Sequence, residues 1–436
     1  MKRRATAAAA LALVCLIASS PRNAHATDGY FSLGYGTKSK GMAGAGIAYP
    51  QDSLCGVTNP AGMVRVGTRI DLGASLFNPE RNYSVHGNPS GAPGTFGLAP
   101  GTVESDNTVF GVPHLAYNRM LGSRSSFGIT ISGNGGMNTT YPASAGGGFG
   151  TFGGGQAGVN LEQLFVSPTY ALALNDRTSV GVALILAYQR FEARGLRNFG
   201  GFTSSGTANN LTDNGDDHSL GLGVRLGVLT TASPKLTLGL AYQAQVTMQK
   251  FEKYSDLFAG RGSFDIPASI TGGFAYKTTE TSVLAFDVQH MWYSAVHSIG
   301  NPFSNLFQGM ATHDPSYLLG GDNGPGFGWR DMTVYKLGYQ WDASRDWTLR
   351  TGVAYGAQPL RSSEVLFNIL APGVQEWHFT LGCTKRMGKS GEVSFAAMYS
   401  PKKGVGGPNP LEAPGQQTID LSMHQLEFEL SWGKRF

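Results

Sequence analysis

Long and short connections alternate regularly along this chain, between segments in which polar and apolar residues also alternate. From Thr68 onward, apolar and polar residues alternate, as they do in a β-strand with one apolar and one polar face. The fourteen segments are 68–78, 108–119, 125–133, 161–174, 178–191, 217–231, 235–250, 263–278, 281–293, 332–342, 346–357, 375–387, 391–400 and 421–436. Subtracting these bounds gives connections of 12 to 38 residues that alternate without exception with connections of 2 to 5 residues.

An up-and-down outer-membrane barrel produces this sorting, with long outer loops, short periplasmic turns and an even strand number. A sandwich with Greek-key connections gives no reason for it. We therefore predict an all-β protein, a 14-stranded antiparallel transmembrane β-barrel over residues 68–436, with both termini in the periplasm of a Gram-negative bacterium. The final segment carries Leu430, Trp432 and Phe436 on one face. This ending resembles the signal that the barrel assembly machinery reads.

The N-terminus indicates export. Residues 1–26 join Lys2, Arg3 and Arg4 to an apolar stretch and end at Ala24-His25-Ala26, which predicts a signal peptide cleaved before Thr27. The formal charge of +4 belongs to this segment, because its removal leaves 29 basic residues against 29 acidic ones. Nothing in the mature chain resembles a basic stripe for nucleic acid. The longest apolar stretch beyond the N-terminus, Val180 to Tyr188, is too short for a spanning helix.

Residues 27–67 lack a strand pattern, are rich in glycine and precede the first strand. A fourteen-strand barrel is too wide for its own side chains to fill, so it holds water or a plug. We predict that 27–67 forms an N-terminal hatch inside the lumen. The alternative, a disordered periplasmic tail, suits the many apolar residues of this segment less well.

Several motifs make a family resemblance visible. They are Gly29-Tyr30-Phe31, the run from Gly34 to Gly46, Asn59-Pro60-Ala61-Gly62, the run from Gly326 to Asp331 and the run from Phe367 to Gly373. Together they resemble the FadL family of outer-membrane channels for hydrophobic compounds, and the resemblance extends over the whole mature chain. The Asn-Pro-Ala motif is its most specific part.

The resemblance implies passive uptake of long-chain fatty acids or hydrocarbons. Outer loops capture the compound, an internal pocket receives it, and it leaves sideways at a kink in the third strand. It implies hatch residues Asn59, Pro60, Ala61 and Gly62, and ligand contacts at Tyr30 and Phe31. Glycine and asparagine can bend a strand away from its neighbour. The expected kink is Gly133, Asn134, Gly135 and Gly136, although these residues could equally begin an outer loop.

For the outer groove we nominate apolar residues of the longest connection, namely Phe303, Leu306, Phe307, Met310, Leu318 and Leu319. The alternation along the strands places a set of charged residues on the inward face. Because both signs of charge occur among them, we predict charge networks that hold the hatch. These are Arg225, Asp287, Lys336, Arg350, Glu376, His378, Glu427 and Glu429. A carboxylate-binding role for Lys336 or Arg350 is the sharper alternative. Cys383 faces outward and Cys55 lies in the hatch, so we expect no disulfide.

The sequence contains no pattern that requires a catalytic centre, metal or cofactor. Gly388-Lys389-Ser390 lies in a turn and lacks the first glycine of a phosphate loop. The alternatives to a hydrophobic-compound channel are a general aqueous porin and a barrel lipid hydrolase. Expected partners are hydrophobic small molecules, membrane lipid, lipopolysaccharide and the assembly machinery, with no nucleic acid and a monomeric chain. Fatty acids, alkanes and monoaromatics remain equally suitable substrates.

Overall fold

The computed structural model describes residues 28–436, and the predicted signal peptide lies outside these residues. Fourteen strands form the wall. They are β1 (Arg69–His86), β2 (Phe110–Met120), β3 (Ser125–Tyr141), β4 (Ala157–Ala173), β5 (Thr178–Arg194), β6 (Asp217–Ser233), β7 (Leu236–Gln243), β8 (Ser269–Thr279), β9 (Ser282–Met291), β10 (Met332–Asp342), β11 (Trp347–Gly356), β12 (Trp377–Met387), β13 (Gly391–Pro408) and β14 (Thr418–Arg435). Two short strands, Gly101–Glu104 and Thr247–Met248, pair with β1 and β6.

Each strand pairs antiparallel with its neighbours in the chain, and the last strand closes the circle. β14 runs along the whole of β1, from Arg69 opposite Arg435 to His86 opposite Thr418. Connections of 2 to 4 residues alternate with connections of 9 to 40 residues. The predicted closed barrel of fourteen strands is therefore confirmed.

Several strands extend beyond their predicted outer ends. β1 continues to His86 instead of residue 78, β3 to Tyr141 instead of 133, and β13 to Pro408 instead of 400. The polarity pattern ends where the apolar outer belt ends, whereas backbone pairing continues into the extensions above it. β7 is shorter than predicted and ends at Gln243, after which the chain enters a loop.

The outward face of the wall carries a broad apolar belt. Leu222, Leu240 and Leu381 are 57%, 50% and 66% exposed, and similar residues recur at every second position of the strands. A large exposed apolar surface of this kind suits a hydrocarbon solvent. Among the helices of residues 28–436, none is both long and apolar enough to cross a membrane.

The lumen and the outer loops hold short helices. These are α1 (Thr37–Lys40), α2 (Cys55–Thr58), α3 (Met63–Val66), α4 (Ala145–Gly148), α5 (Ala259–Gly262), α6 (His297–Gly300), α7 (Ser304–Thr312) and α8 (Val365–Asn368). Single 3-10 turns occur at Pro60–Gly62, Arg197–Phe202, Glu252–Tyr254, Tyr293–Ala295, Pro315–Tyr317 and Ser362–Glu364. We call residues 28–67 the N-terminal segment. It occupies the lower lumen, and the later loops form an apolar core above it.

Candidate functional site

Ion pairs fix α1 of the N-terminal segment to the wall. The Lys40 ammonium contacts the carboxylates of Glu427 and Glu429 on β14, the latter at 2.7 Å. Lys38 lies 2.5 Å from Glu392 of β13, and the same carboxylate is 2.5 Å from Arg69 of β1. These side chains are largely buried, so α1 is joined to β13 and β14 by ion pairs that are weakly screened, and the shared Glu392 carboxylate connects them to β1.

The two lysines respond differently to burial. Burial opposes the charged form of Lys40, but the two glutamates outweigh it and hold the Lys40 pKa above its usual value. Burial lowers the pKa of Lys38. Its acidic neighbours raise this pKa only in part, and the nearby positive charge of Arg69 lowers it further. Opposite charges therefore compensate the burial of Lys40 more fully than that of Lys38.

The Asn-Pro-Ala motif docks against glycines of the wall. The Asn59 amide donates to the carbonyl oxygens of Ile47 at 2.9 Å and Val228 at 3.0 Å, and its side-chain oxygen accepts from the Ala61 amide. A Cβ added at Gly227 would lie 2.1 Å from Asn59 Oδ1, and one added at Gly181 would lie 2.3 Å from the Pro60 carbonyl carbon. The inward glycines therefore make room for this segment.

Most of the predicted inward charges are buried within the lumen. Lys336 lies 2.8 Å from Asp28 and donates to the Leu33 carbonyl at 2.7 Å and the Gln289 side chain at 2.9 Å. Lys336 therefore already has a carboxylate partner and two hydrogen bonds within the protein, which disfavours a role in binding a ligand carboxylate. Arg350 donates to Gln51 of the N-terminal segment.

Three more of the predicted inward charges have protein partners. Asp287 accepts from the backbone amides of Gly46 and Ile47, and Arg225 donates to the Val57 carbonyl. Glu376 lies just before β12 and pairs with Lys403 at 2.8 Å. Asp287 and Arg225 thus hold the N-terminal segment, as the mixed signs predict, whereas Glu376 pairs with another residue of the wall.

Both described cysteines are free thiols. Cys55 is buried in the N-terminal segment beside Met63, and burial raises its pKa well above the usual value. Cys383 lies on β12, on the same side as the exposed Leu381. The expectation of no disulfide agrees with this arrangement.

Tyr30 and Phe31 lie in a buried aromatic cluster at the top of the N-terminal segment. Their rings are 5.1 Å apart, and the Tyr30 ring is 5.4 Å from Tyr293, 6.1 Å from Trp329 and 6.3 Å from Phe264. Burial raises the Tyr30 pKa well above its usual value. Both residues therefore meet the outer-loop core directly.

An apolar cavity of about 550 Å³, including its open mouth, lies among the outer loops. Of its lining residues within the described range, Ser298 alone has a polar side chain. The others are Phe152, Val159, Phe191, Leu196, Phe199, Leu211, Leu257, Phe258, Leu319, Pro325, Gly326, Phe327, Phe367 and Leu370. Such a lining suits the hydrocarbon part of a ligand.

Two of the sequence motifs meet between this cavity and the aromatic cluster. Trp329 Nε1 donates to Asn368 Oδ1 at 2.7 Å, and the Asn368 amide donates to the Phe327 carbonyl at 2.7 Å. The rings of Phe327 and Trp329 are 6.3 Å apart. An apolar row therefore leads from the outer cavity through Phe327 and Trp329 to Tyr30.

The residues nominated for the outer groove separate into two groups. Phe303 and Leu306 are buried, and Phe303 packs on Phe367 at 4.8 Å between ring centroids. Phe307 and Met310 on α7 are 41% and 43% exposed and are not part of the cavity lining. Within the nominated set, only Leu319 lines the cavity.

The expected kink in β3 is a bulge within a continuing strand. Between Gly133 and Gly135 the pairing with β4 skips Asn134, after which it resumes to Tyr141. Pairing with β2 ends at Ser132 opposite His114, and above it the Asp106 amide, in the loop before β2, donates to the Thr140 carbonyl. The structure therefore shows strand where an outer loop was the alternative, with a gap on the β2 side.

The start of the N-terminal segment covers this gap from inside. Phe31 pairs with Gly135, the Ser32 amide donates to the Asn134 carbonyl at 3.0 Å, and the Gly136 amide donates to the Tyr30 carbonyl at 3.1 Å. A Cβ at Gly135 would lie 1.8 Å from the Tyr30 oxygen. The gap, the aromatic cluster and the predicted ligand contacts are thus one site.

Sequence reasoning missed several residues of this site. The sequence pattern does not distinguish Tyr293 from other loop residues, and it assigns no role to the motif residues Phe327, Trp329 and Phe367. The predicted first segment ends at residue 78 and so omits Arg81 of β1, whose guanidinium donates to the Asn138 carbonyl of β3. Extending the alternation of β1 by three residues would have placed Arg81 inward.

Comparison with known proteins agrees with this architecture. Residues 34–406 match a family model described as "Outer membrane protein transport protein (OMPP1/FadL/TodX)". The long-chain fatty acid transport protein of Escherichia coli (strain K12) is 21% identical over 88% of this chain and 92% of that protein.

Crystal structures show the same fold. The toluene transporter TodX of P. putida matches with a TM-score of 0.66 at 18% identity, over 93% of this chain and 99% of that one. A Pseudomonas aeruginosa FadL homologue matches with a TM-score of 0.67 at 15% identity, over 94% of this chain and 100% of that one. Because the family model matches well over half of the sequence, this chain belongs to the OMPP1/FadL/TodX family of outer membrane transport proteins.

Proposed function

We propose that the protein is a passive outer-membrane channel that takes up hydrophobic compounds and releases them sideways into the membrane. The observation that carries the proposal is the gap between β2 and β3 at the end of an apolar row from the outer cavity. Phe307 and Met310 on the exposed face of α7 provide the first apolar contact. The cavity then holds the compound, which moves past Phe327 and Trp329 toward the gap.

In this proposal, residues 27–67 act as a hatch that closes the direct route to the periplasm. The ion pairs of Lys38 and Lys40 and the docking of Asn59, Pro60, Ala61 and Gly62 support a hatch that stays in place. Tyr30, Phe31 and Ser32 cover the gap and must shift for passage. An apolar compound on this path avoids water, whose exclusion contributes about 25 cal/mol per Å² of apolar surface.

Deletion of Asn134 tests the lateral route. Removing the bulged residue lets β3 pair regularly with β4 and run straight along β2, which closes the gap at Gly133, Gly135 and Gly136. We expect uptake of labelled oleate by cells that depend on this channel to fall to background. Heat-modifiable mobility on denaturing gels would establish that the variant barrel is folded.

The matched control is Asn134→Ala. This variant keeps the bulge but loses the contacts of the Asn134 side chain with Tyr35 and Gln163. Oleate uptake should persist in Asn134→Ala. A folded deletion variant with undiminished uptake would contradict lateral exit, and equal uptake with and without the gene would contradict a transport role altogether.

We infer transport rather than catalysis, and a filled lumen rather than an aqueous porin. The hatch and the outer-loop core occupy the space that water fills in a porin. A lipid hydrolase needs an accessible serine and histidine, but Ser394 of β13 and His378 of the adjacent β12 are both buried, and Ser394 is hydrogen-bonded to Thr384 at 2.8 Å. Purified protein that released fatty acid from phospholipid would contradict this inference.

We also propose how the protein sits in its membrane. Lipid and lipopolysaccharide surround the exposed apolar belt, and the short turns and both termini face the periplasm. The assembly machinery recognises the final strand with Trp432 and Phe436. Closure of β14 on β1 leaves no open edge for a second chain, which supports a monomer.

A further inference from the structure

Arg81 is a buried cation that the proposed path does not use. It projects inward from β1, is 5% exposed, and reaches across the β2–β3 gap. Its guanidinium donates to the backbone carbonyls of Asn138 on β3 and Asn107, and lies 5.4 Å from the centroid of the Phe110 ring. Arg81 therefore lies at the outer edge of the gap that residues 30–32 cover.

The charge of Arg81 lacks an anionic partner. Salt bridges in residues 28–436 join Lys40, Arg69 and Lys336 to carboxylates, but none of them includes Arg81. Its Nε atom is buried without a hydrogen-bond partner. Carbonyl dipoles satisfy donors but do not neutralise a charge, and an unpaired buried charge is costly.

Two other buried arginines, Arg225 and Arg350, also lack carboxylate partners, but both bind the N-terminal segment. Arg225 donates to the Val57 carbonyl and Arg350 to the Gln51 side chain. Contact with the N-terminal segment thus explains why both of these arginines are buried. Arg81 donates only to backbone carbonyls of the wall and a loop and packs on the Phe110 ring, so no contact with the N-terminal segment explains its burial.

A cavity places Arg81 beside the path. It measures about 310 Å³ with its open mouth included, and Arg81 lines it together with Trp329, Met137, Gly136 and Met423. Trp329 belongs to the aromatic cluster and Gly136 to the gap. A ligand moving from the cluster to the gap would therefore pass the unpartnered face of the guanidinium.

The height of the gap fits an amphipathic ligand. Below it, β3 exposes Phe127 and Ile129 at 48% and 38%, whereas above the bulge β3 pairs Gly136 with Glu162 and Asn138 with Asn160 of β4. The gap thus opens at the boundary between the apolar belt and the polar outer rim. A molecule with one charged end would keep that end at this boundary while its tail enters the belt.

We propose that Arg81 binds the carboxylate of an amphipathic, long-chain substrate at the lateral gap and thereby favours carboxylates over uncharged hydrocarbons. This inference rests on the proposed function. The apolar cavity holds the hydrocarbon tail, and the guanidinium supplies a charge-assisted, forked contact to the head group. Arg81 is thus a specificity-determining residue.

The test compares oleate with oleyl alcohol, which has the same tail without the charge. Binding of each ligand to purified protein is measured for the wild type, Arg81→Met and the matched control Arg225→Met, with heat-modifiable mobility as the check of folding. We expect Arg81→Met to raise the oleate Kd by about tenfold or more, because a charge-assisted contact is lost. The Kd of oleyl alcohol should change by less than about twofold.

A second pair of variants keeps the test decisive if Arg81→Met does not fold. Arg81→Lys retains the charge and should keep the oleate preference, whereas Arg81→Gln should lose it. Equal weakening of both ligands would overturn the inference in favour of a purely structural contact across the gap. Unchanged oleate binding, or a selective loss confined to Arg225→Met, would overturn it as well. Wild-type protein that bound neither ligand would instead count against the proposed function.

Discussion

The lower and upper halves of the barrel are filled by opposite chemistry. In the lower half, buried charges of the N-terminal segment meet charges of opposite sign on the wall, and backbone packs against glycines. In the upper half, aromatic and aliphatic side chains enclose a cavity with Ser298 as its single polar lining residue among those described. The N-terminal segment contributes to both halves, since Tyr30 and Phe31 extend into the upper one.

The difference shows how one lumen can be closed and adaptable at once. Buried ion pairs are directional and costly to break, so they hold one arrangement. Apolar contacts are non-directional, so an apolar ligand can replace some of them at little cost. The lower half is therefore suited to sealing, and the upper half to accepting a ligand.

Removal of the Lys40 charge should break the lower half most strongly. Lys40→Met leaves Glu427 and Glu429 buried without their cation, which should destabilise the packed hatch by about 3–5 kcal/mol. We expect a lower thermal midpoint and ion leakage in planar bilayers. In the triple variant Lys40→Met, Glu427→Gln, Glu429→Gln, much of the loss should be regained, because no uncompensated charge remains. A triple variant as unstable as the single one would show that shape, not charge, holds α1.

The Lys40 anchor also has a defined pH response. The folded-state pKa of Lys40 lies above its unfolded value, so its contribution is fully present at neutral pH. The contribution is lost only as the pH rises through the raised folded pKa. Ion leakage through planar bilayers can be measured as the pH is raised. In the wild type it should begin at a pH above the usual lysine pKa.

Enlarging a wall glycine should weaken the hatch less. The Cβ of Gly227→Ala would meet Asn59 Oδ1 at 2.1 Å and Pro60 Cδ at 2.8 Å, so the motif must shift at a cost of about 1–3 kcal/mol. Gly272→Ala is the control, since its nearest neighbour would be Leu240 Cδ1 at 3.5 Å. Thermal midpoints that fall equally in both variants would rule out a specific contact with the hatch.

Filling the cavity should weaken ligand binding in the upper half without loosening the packing of the lower half. Val159→Trp adds a large side chain to the cavity lining and should weaken oleate binding by about tenfold. The control Val166→Trp lies on the same strand with its side chain toward lipid. Equal oleate affinities in the two variants would mean that the cavity is not the binding site.

The smallest effect is expected at the exposed face of α7. Phe307→Ser removes a ring that is already 41% exposed, so the half-saturating oleate concentration should rise by about threefold or less, with the maximal uptake rate unchanged. The buried neighbour Leu306 is unsuitable as a control, because its replacement would disturb the loop core. Met310→Ser should behave like Phe307→Ser. A fall in the maximal rate would place Phe307 on the path itself.

Some features of this protein follow from local sequence because their physical cause is local. The period-2 alternation reflects a wall with lipid on one side, and the loop lengths reflect strands that run up and down. The inward phase of Lys336 and Glu427 follows from the same alternation. The bulge at Asn134 was indicated by glycine and asparagine, which bend strands.

Other features depend on contacts between distant segments. The polarity pattern ends with the apolar belt, so it could not show that β3 continues to Tyr141 or that β1 carries Arg81 inward. Phe307 and Leu306 have similar hydropathy, yet only packing decides that one is exposed and the other buried. The meeting of Trp329 with Asn368 joins two loops whose approach the barrel sets.

The sequence by itself therefore determined the closed barrel, its strand number and the charges available inside it, because each of these is encoded in periodicity and spacing along the chain. The tertiary structure alone decided which charges are paired, where β2 leaves β3 and which aromatic side chains enclose the cavity. Those properties depend on distances between residues that are remote in the chain, and closure of the wall sets these distances.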